Sequence, residues 1–471
     1  MKKLHVESPF TGTLLKEIPY STPQEISKAL QVSTLTFQKW RHSSAWEKSQ
    51  LLTQVAQQLE LQKEDFAQLI CEEAGKPIQL ARTEVTRGVS VLQWAASEAQ
   101  RFAGELLRLD TSASGRPGYG IHTRFPRGAV LGITPFNFPL NLVLHKVAPA
   151  IAIGSPILIK PSPFTPLTAR KLQEVFDLYA PGLMQVLIAD DTATAELTRA
   201  PEIKQISFTG SANVGWQIRR QAPEKPTTLE LGGNAWVIIL EDTPAEDFPL
   251  IAQRISNAAY GYAGQSCISV QNVAVASPLW SDFKKHLTSS TENMLYGDPR
   301  SASVVSGPLI HTRAAERVRS QLGRLPSEVE IISSKKPEGT SPQNSNVIAP
   351  TLLMMPSQED AEPFASVVQE EIFGPVMTAR KFTEAPQIIQ KINSSRYGLQ
   401  AGVFTQHWPT IEKLYRELEV GGLVVNDVPT TRYDHQPYGG VKDSGQGREG
   451  LKYAMEEMTE SKFLALSSKI P

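Results

Sequence analysis

Three residues in this chain, far apart in sequence, could act on one carbonyl carbon. Cys267 lies in Gly264-Gln265-Ser266-Cys267-Ile268-Ser269, on a Gly-containing loop between a helical stretch ending near Tyr260 to Tyr262 and a strand beginning near Gln271. A thiolate there would be a nucleophile if nearby amides or a base favoured it. The competing reading is a small buried hydrophobe, which is also the reading for Cys71 on its amphipathic helix. Glu230 lies between two leucines in Leu229-Glu230-Leu231-Gly232-Gly233-Asn234. Burial would raise its pKa and make it a usable general base. On an edge strand facing water it would do nothing, but the two glycines that follow suggest close backbone approach. Asn137 follows a strand and precedes a helix in Thr134-Pro135-Phe136-Asn137-Phe138-Pro139. Its amide NH2 could hold a developing oxyanion, or its oxygen could cap the helix; one rotamer serves one of these uses well.

Two further segments suit anions. Phe208-Thr209-Gly210-Ser211 ends a strand, and Ser211 to Gln221 reads as a helix. A helix N-terminus after a Gly turn is a natural pyrophosphate site, or an ordinary turn. Lys160 ends a strand and could meet a ribose or phosphate, or solvent. Gly445-Gln446-Gly447-Arg448-Glu449-Gly450 matches GxGxxG but is set aside. Tyr438 to Ser444 before it does not read as a strand, and the 21 residues from Leu451 to Pro471 leave no room for a βαβ unit.

These residues need a scaffold. The first hundred residues read as amphipathic helices, over about Pro23 to Trp40, Ala45 to Cys71 and Pro77 to Phe102. Thr22-Pro23-Gln24-Glu25 gives the first a capping signature. Thr111 to Gly120, rich in Ser, Gly and Pro, is a break. Short apolar strands then alternate with helices: Ala129–Thr134, helix Pro139–Ile153, Pro156–Lys160, helix Thr168–Tyr179, Met184–Ala189 and Ile203–Phe208. This pattern implies a parallel, doubly wound α/β sheet with ligands at the carboxyl ends of its strands. Ala235–Leu240, helix Ala245–Tyr260 and Gln271–Ala276 repeat the alternation. The polar stretch Ser333 to Asn346 reads as an exposed loop.

Composition narrows the classes. The chain has 471 residues, 41% hydrophobic and 20% charged, enough for about three units and a large core. Lys plus Arg is 47 against 48 Asp plus Glu, so there is no basic excess for nucleic acid. No apolar run approaches the roughly 18 residues of a membrane span. No apolar stretch follows Lys2 and Lys3, so no signal peptide is expected. Two distant cysteines suit a reducing, cytoplasmic setting and argue against a structural metal site; the metal expectation is none.

Taken in order, Thr134–Pro139, Lys160-Pro161-Ser162, Phe208–Ser211, Glu230–Gly233, Gly264–Cys267, Glu370-Glu371-Ile372-Phe373-Gly374-Pro375 and Pro437–Gly445 closely resemble the aldehyde dehydrogenase superfamily over essentially the whole chain. The resemblance implies NAD or NADP as cofactor and a small aldehyde as substrate. It makes Cys267 the nucleophile, Asn137 with the Cys267 N–H the oxyanion donors, and Glu230 the base that activates water. Lys160 would contact the adenosine ribose, and Ser211 with its helix the pyrophosphate. Glu371 would bind the nicotinamide ribose, with Phe373 beside it, and Thr134 and Phe136 would line the nicotinamide side. Ser162, Gly210, Gly215 and Leu231 join this cofactor group. Two Rossmann-like units are implied: a nucleotide-binding one (1–104 and 126–231) and a catalytic one (232–440). An oligomerisation arm (105–125 with 441–471) would make a homodimer or homotetramer.

Pro163 departs from NAD-preferring members, which often carry an acid three residues after the lysine; NADP is then expected to be tolerated. Asn137 to Ala150 and Thr431 to Tyr438 resemble the branch with lactaldehyde and non-phosphorylating glyceraldehyde-3-phosphate dehydrogenases. Phe138, Ser266 and Arg432 are the substrate-side candidates. Arg432 would meet a hydroxylated or anionic aldehyde, or pair structurally with Asp434. Ser266, where phosphate-binding members often have Arg, weakens a phosphorylated substrate. His145 and His435 read as structural. The alternatives are a CoA-acylating enzyme, disfavoured by the presence of Glu230, a catalytically silent binding protein, and a cysteine hydrolase.

Overall fold

The computed structural model describes residues 2–115, 117–339, 346–356 and 362–467. Part of the expected 333–346 loop and the last residues of the 441–471 segment lie outside them. Among the described residues, two largely parallel sheets dominate. The first runs, in spatial order, Gly445–Gln446, Thr227–Glu230, Ile203–Thr209, Ala129–Ile133, Ile157–Lys160 and Met184–Val186. The second runs Glu330–Ser333, Thr351–Met354, Val376–Phe382, Val270–Ala276, Ala235–Ile239, Gln400–Phe404 and Gly422–Val425. In each, one edge strand is antiparallel. The central strands are buried on both faces and read as near-continuous apolar runs, as parallel strands must.

The helices bear out the sequence pattern with instructive departures. Thr22 caps Pro23–Trp40 in a full capping box with Glu25. The periodicity over 45–71 predicts one helix, whereas the chain forms two, Ala45–Leu61 and Lys63–Ala74, joined at Gln62, whose φ −103° and ψ 19° leave the helical region. No Gly or Pro marks that joint. The helix expected over 139–153 starts later, at Asn141, and runs through Pro149. The 245–260 stretch is a short 3₁₀ turn followed by Phe248–Tyr260. Tyr438–Ser444 holds the two-residue strand Val441–Lys442, paired with Tyr397–Gly398, where the sequence suggests none. Outside the sheets, Thr459–Ser467, Gly118–Pro126 and Glu105–Arg108 form an antiparallel three-stranded ribbon.

A buried pair explains where the Asn141–Ile153 helix begins. Helix ends leave backbone N–H groups unpaired. Glu84, on the helix Ile78–Arg101, accepts from the backbone N–H of Leu140 (3.0 Å) and of Asn141 (3.1 Å). Its second oxygen pairs with the Lys76 ammonium. Lys76 also lies 3.7 Å over the Phe138 ring and 4.8 Å over the Tyr262 ring. One ion pair therefore fixes the turn bearing Asn137 and touches the start of the cysteine loop. Glu84→Ala would strand a buried lysine and uncap the helix. It is expected to destabilise the protein by about 3–5 kcal/mol, seen as a lower urea midpoint. An unchanged midpoint would refute this role.

Candidate active site

Cys267 sits at the end of a strained turn. Tyr262, Ala263 and Gly264 all have left-handed backbone (φ 53°, 54° and 67°), which is costly for the two non-glycine residues. Gln265 repays this by anchoring the loop. Its amide donates to the carbonyls of Tyr262 and Pro308 (both 3.2 Å), and its oxygen accepts from the Ile310 N–H (2.9 Å). The Tyr262 hydroxyl donates to the Ala74 carbonyl (2.9 Å). The sulfur packs with Ile268, Leu399 and Tyr438. Burial pushes its thiol up to about 12, against a hydrogen bond with Tyr438 and the charge of Arg432. Cys71 is a core residue, likewise raised to about 12 mainly by burial.

Glu230 ends the strand Thr227–Glu230 and is buried, not on a wet edge. Its backbone is clamped: its carbonyl accepts from the Gly210 N–H (3.0 Å), and it pairs in register with Gly445. The segment Gly445-Gln446, set aside above as a nucleotide loop, is thus the strand that closes over Glu230. Neither carboxylate oxygen has a hydrogen-bond partner among the described residues. Desolvation, and next the neighbouring Glu449, hold its pKa well above the usual carboxylate range. A buried, unpaired acid with a raised pKa is costly for stability and useful as a base.

Asn137 is not the helix cap, which falls at Leu140. Its amide donates to the Gln265 carbonyl (2.9 Å), two residues before the cysteine. An amide nitrogen carries two hydrogens, so one remains for another acceptor near Cys267. The Gly232-Gly233 pair brings the elements together. A Cβ on Gly233 would lie 2.2 Å from the Cys267 carbonyl oxygen, and one on Gly232 2.5 Å from the Glu371 carboxylate.

The cofactor-side candidates gather near the carboxyl ends of the first sheet. Lys160 ends its strand, and burial lowers its pKa. The Thr134 hydroxyl is buried without a partner among the described residues. Ser162 uses its hydroxyl to accept from the Phe164 N–H (3.3 Å), so it shapes the turn after Lys160. Ser211 is the N-cap of Ala212–Gln221, yet its side chain makes no capping bond, which leaves the helix N-terminus open. Gly210 and Gly215 are compelled: a Cβ would meet Phe208 at 2.6 Å in the first case and Leu231 at 2.4 Å in the second. Glu371 accepts from the Gly233 N–H (3.0 Å), and burial raises it to about 7. Phe373, with φ 48°, meets Phe136 edge-on at 5.9 Å. The unpaired Thr134 hydroxyl and an open helix N-terminus fit a dinucleotide, while the two glycines serve the packing of Phe208 and Leu231.

The substrate-side candidates sit among polar and charged groups. Arg432 does not pair with Asp434. It reaches Glu449 (3.3 Å) and lies 3.7 Å over the Tyr438 ring. Asp434 instead binds Arg87 (2.6 Å) and His145 (3.1 Å), and with His145 and Arg87 beside it stays below the usual range despite burial. His145 is therefore a buried structural partner, and His435 stacks on Trp94. Glu449 is held by Lys146 (2.7 Å), which also donates to Thr209 (2.7 Å). Phe138 packs under Lys76, and Ser266 is half-buried beside the cysteine. Sequence reasoning assigned no role to Tyr438, Glu449 or Lys146. A lysine in a largely apolar helix and a glutamate inside a discarded motif were the signals available.

The aldehyde dehydrogenase family model matches residues 1–464. The chain is 35% identical over 469 residues to 3-sulfolactaldehyde dehydrogenase of Priestia aryabhattai, covering 99% of this chain and 95% of that protein. Among solved structures it resembles aldehyde dehydrogenase 21 from Physcomitrella patens in complex with the reaction product succinate (TM-score 0.93, 34% identity, 99% and 95% of the two chains). It also resembles the glyceraldehyde-3-phosphate dehydrogenase GapN from Methanocaldococcus jannaschii complexed with NADP (0.90, 30%, 99% and 100%). The chain belongs to the aldehyde dehydrogenase family, whose members use NAD or NADP.

Proposed function

We propose that this enzyme oxidises a small hydroxylated or anionic aldehyde to its carboxylate through a covalent intermediate on Cys267. The observation that carries the reading is Glu230, a clamped, buried, unpartnered carboxylate near a half-buried cysteine. The Cys267 thiolate bonds to the aldehyde carbon, and the carbonyl π pair moves to oxygen. The free Asn137 N–H and the Cys267 backbone N–H hold that oxyanion. A bound nicotinamide supplies the hydride acceptor. Loss of hydride leaves a thioester on Cys267. Glu230 takes a proton from water, whose oxygen then attacks the thioester carbon, and the thiolate departs as the carboxylate forms. Lys160, Ser162, Thr134, Phe136, Gly210, Ser211, Gly215, Leu231, Glu371 and Phe373 would hold the dinucleotide. Units at 1–104 with 126–231, 232–440, and 105–125 with 441–471, assembled as a homodimer or homotetramer in the cytoplasm, complete the proposal.

Arg432 supports the substrate class. Its guanidinium lies one phenol ring away from the sulfur, and its Nε has no partner among the described residues. An acid or hydroxyl on the far end of a short aldehyde would find it. The names of the relatives, one acting on a sulfonated hydroxyaldehyde and one bound to succinate, point the same way.

With a panel of short hydroxylated, acidic and plain aldehydes, reduced nicotinamide absorbance should rise in the wild type and stay flat in Cys267→Ala. Turnover surviving in that variant would overturn the mechanism. Glu230→Gln should keep a stoichiometric burst while steady turnover falls by roughly 10²–10⁴-fold. In the wild type the deacylation rate should climb with pH until Glu230 ionises above the usual carboxylate range; a flat profile would remove Glu230 from the base role. Asn137→Ala should lower kcat by about 10²–10³-fold with little change in cofactor binding. Because Pro163 places no carboxylate beside the adenosine ribose, NADP should support turnover. An NADP rate under about a hundredth of the NAD rate at matched subsaturating concentrations, a gap of roughly 2.7 kcal/mol, would refute that.

A further inference from the structure

The surroundings of Cys267 hold a group with no assigned role. The sulfur sits in an apolar cluster of Ile268, Leu399 and Tyr438. Among the described residues, its one side-chain hydrogen bond is to the Tyr438 hydroxyl, at 3.3 Å, in which either atom could donate. Tyr438 cannot drift away. Its backbone N–H donates to the Glu449 carbonyl (3.0 Å), and the Glu449 N–H donates back (2.7 Å). The ring is buried. Arg432 covers one face of it at 3.7 Å and is itself tethered to Glu449, which Lys146 holds. A guanidinium over a phenol draws on the ring's electron density, and an electron-poor phenol is a better donor.

We propose that Tyr438 is a catalytic residue: its O–H donates to the Cys267 sulfur whenever that sulfur carries negative charge, with Arg432 as the positioning residue that orients and polarises the phenol. The sulfur carries that charge twice in the reaction proposed above, on which this inference rests: before attack on the aldehyde, and again when the thioester breaks. Tyr438 keeps its proton in both cases. It forms and loses a hydrogen bond, and no covalent bond to it changes. The charged or titratable groups facing Cys267 are Tyr438, Glu371, Arg432 and Glu230. The two glutamates disfavour the thiolate, and Tyr438 and Arg432 favour it. A phenylalanine at 438 would fill nearly the same volume and leave a buried anion with no side-chain donor.

The test reads the thiol directly rather than through turnover. Alkylation of the full-length protein by iodoacetamide, without cofactor, would be followed as a rate at fixed pH values from about pH 7 to about pH 10, below the pH at which the buried thiol ionises, where the rate rises with the thiolate fraction. Mass spectrometry of the Cys267 peptide separates it from Cys71. Tyr438→Phe should slow alkylation throughout this range by about ten-fold to a hundred-fold, the equivalent of about one to two pH units. Arg432→Met, which keeps the phenol, should slow it by less. A Tyr438→Phe rate equal to wild type across this range overturns the proposal, even if turnover falls, because the tyrosine would then be packing only. If that variant does not fold, an unshifted Arg432→Met profile overturns it instead. A wild type that turns over no aldehyde would count against the oxidation reading and leave the alkylation comparison intact.

Discussion

The crossover Glu230-Leu231-Gly232-Gly233-Asn234 is the constraint on which the site depends. It carries the chain from the strand next to the Gly445–Gln446 edge of one sheet into the interior of the other. Main-chain bonds hold it on several sides. The Leu231 N–H donates to the Ser444 carbonyl, and the Ser444 hydroxyl donates to the Gly232 carbonyl while accepting from the Gly398 N–H. Gly233 gives its N–H to Glu371 and lies against the Cys267 carbonyl. Five residues thus set the carboxyl groups of Glu230 and Glu371 and the loop of Cys267 in fixed relation. None of these bonds needs the Glu230 carboxylate, which is free to be chemically useful and costly to bury.

Electrostatics at the site follow from that arrangement. Burial disfavours charge on both Cys267 and Glu230, so in the free protein both groups lean towards their neutral forms. Under the mechanism proposed above, a bound cationic nicotinamide would favour the Cys267 thiolate. Lys146 and Arg432 instead fix Glu449 as the ionised member of the neighbourhood, below the usual range despite its burial. Two glutamates near each other are therefore driven in opposite directions by their partners, as is typical where one acid is structural and the other works.

Much of this was legible in the sequence, and what was not has physical reasons. The β-α alternation, the capping box at Thr22 and the positions of Cys267, Glu230 and Asn137 relative to strands are local features, and local features can be read. The split at Gln62 has no Gly or Pro to signal it, since only the backbone angles of one glutamine leave the helical region. The start of the Asn141 helix is decided by Glu84, more than fifty residues earlier, so no local pattern carries it. Arg432 has Asp434 two residues away but pairs with Glu449, because Arg87 and His145 claim the aspartate first. Tyr438 was visible as part of a motif, yet only the folded chain shows that its hydroxyl meets the sulfur.

The left-handed run Tyr262-Ala263-Gly264 has a consequence for how such a protein can change over time. Strain held by side chains can be relieved by one substitution, but here the anchor is Gln265, with bonds to three separate backbone groups. Replacing Ala263 by glycine would ease the backbone while leaving that anchor in place, whereas Tyr262 is kept by its core burial and its bond to the Ala74 carbonyl. Drift toward glycine at 263 is therefore the tolerated direction, and loss of the glutamine the forbidden one. The aim of Cys267 is inherited through an amide side chain two positions before it.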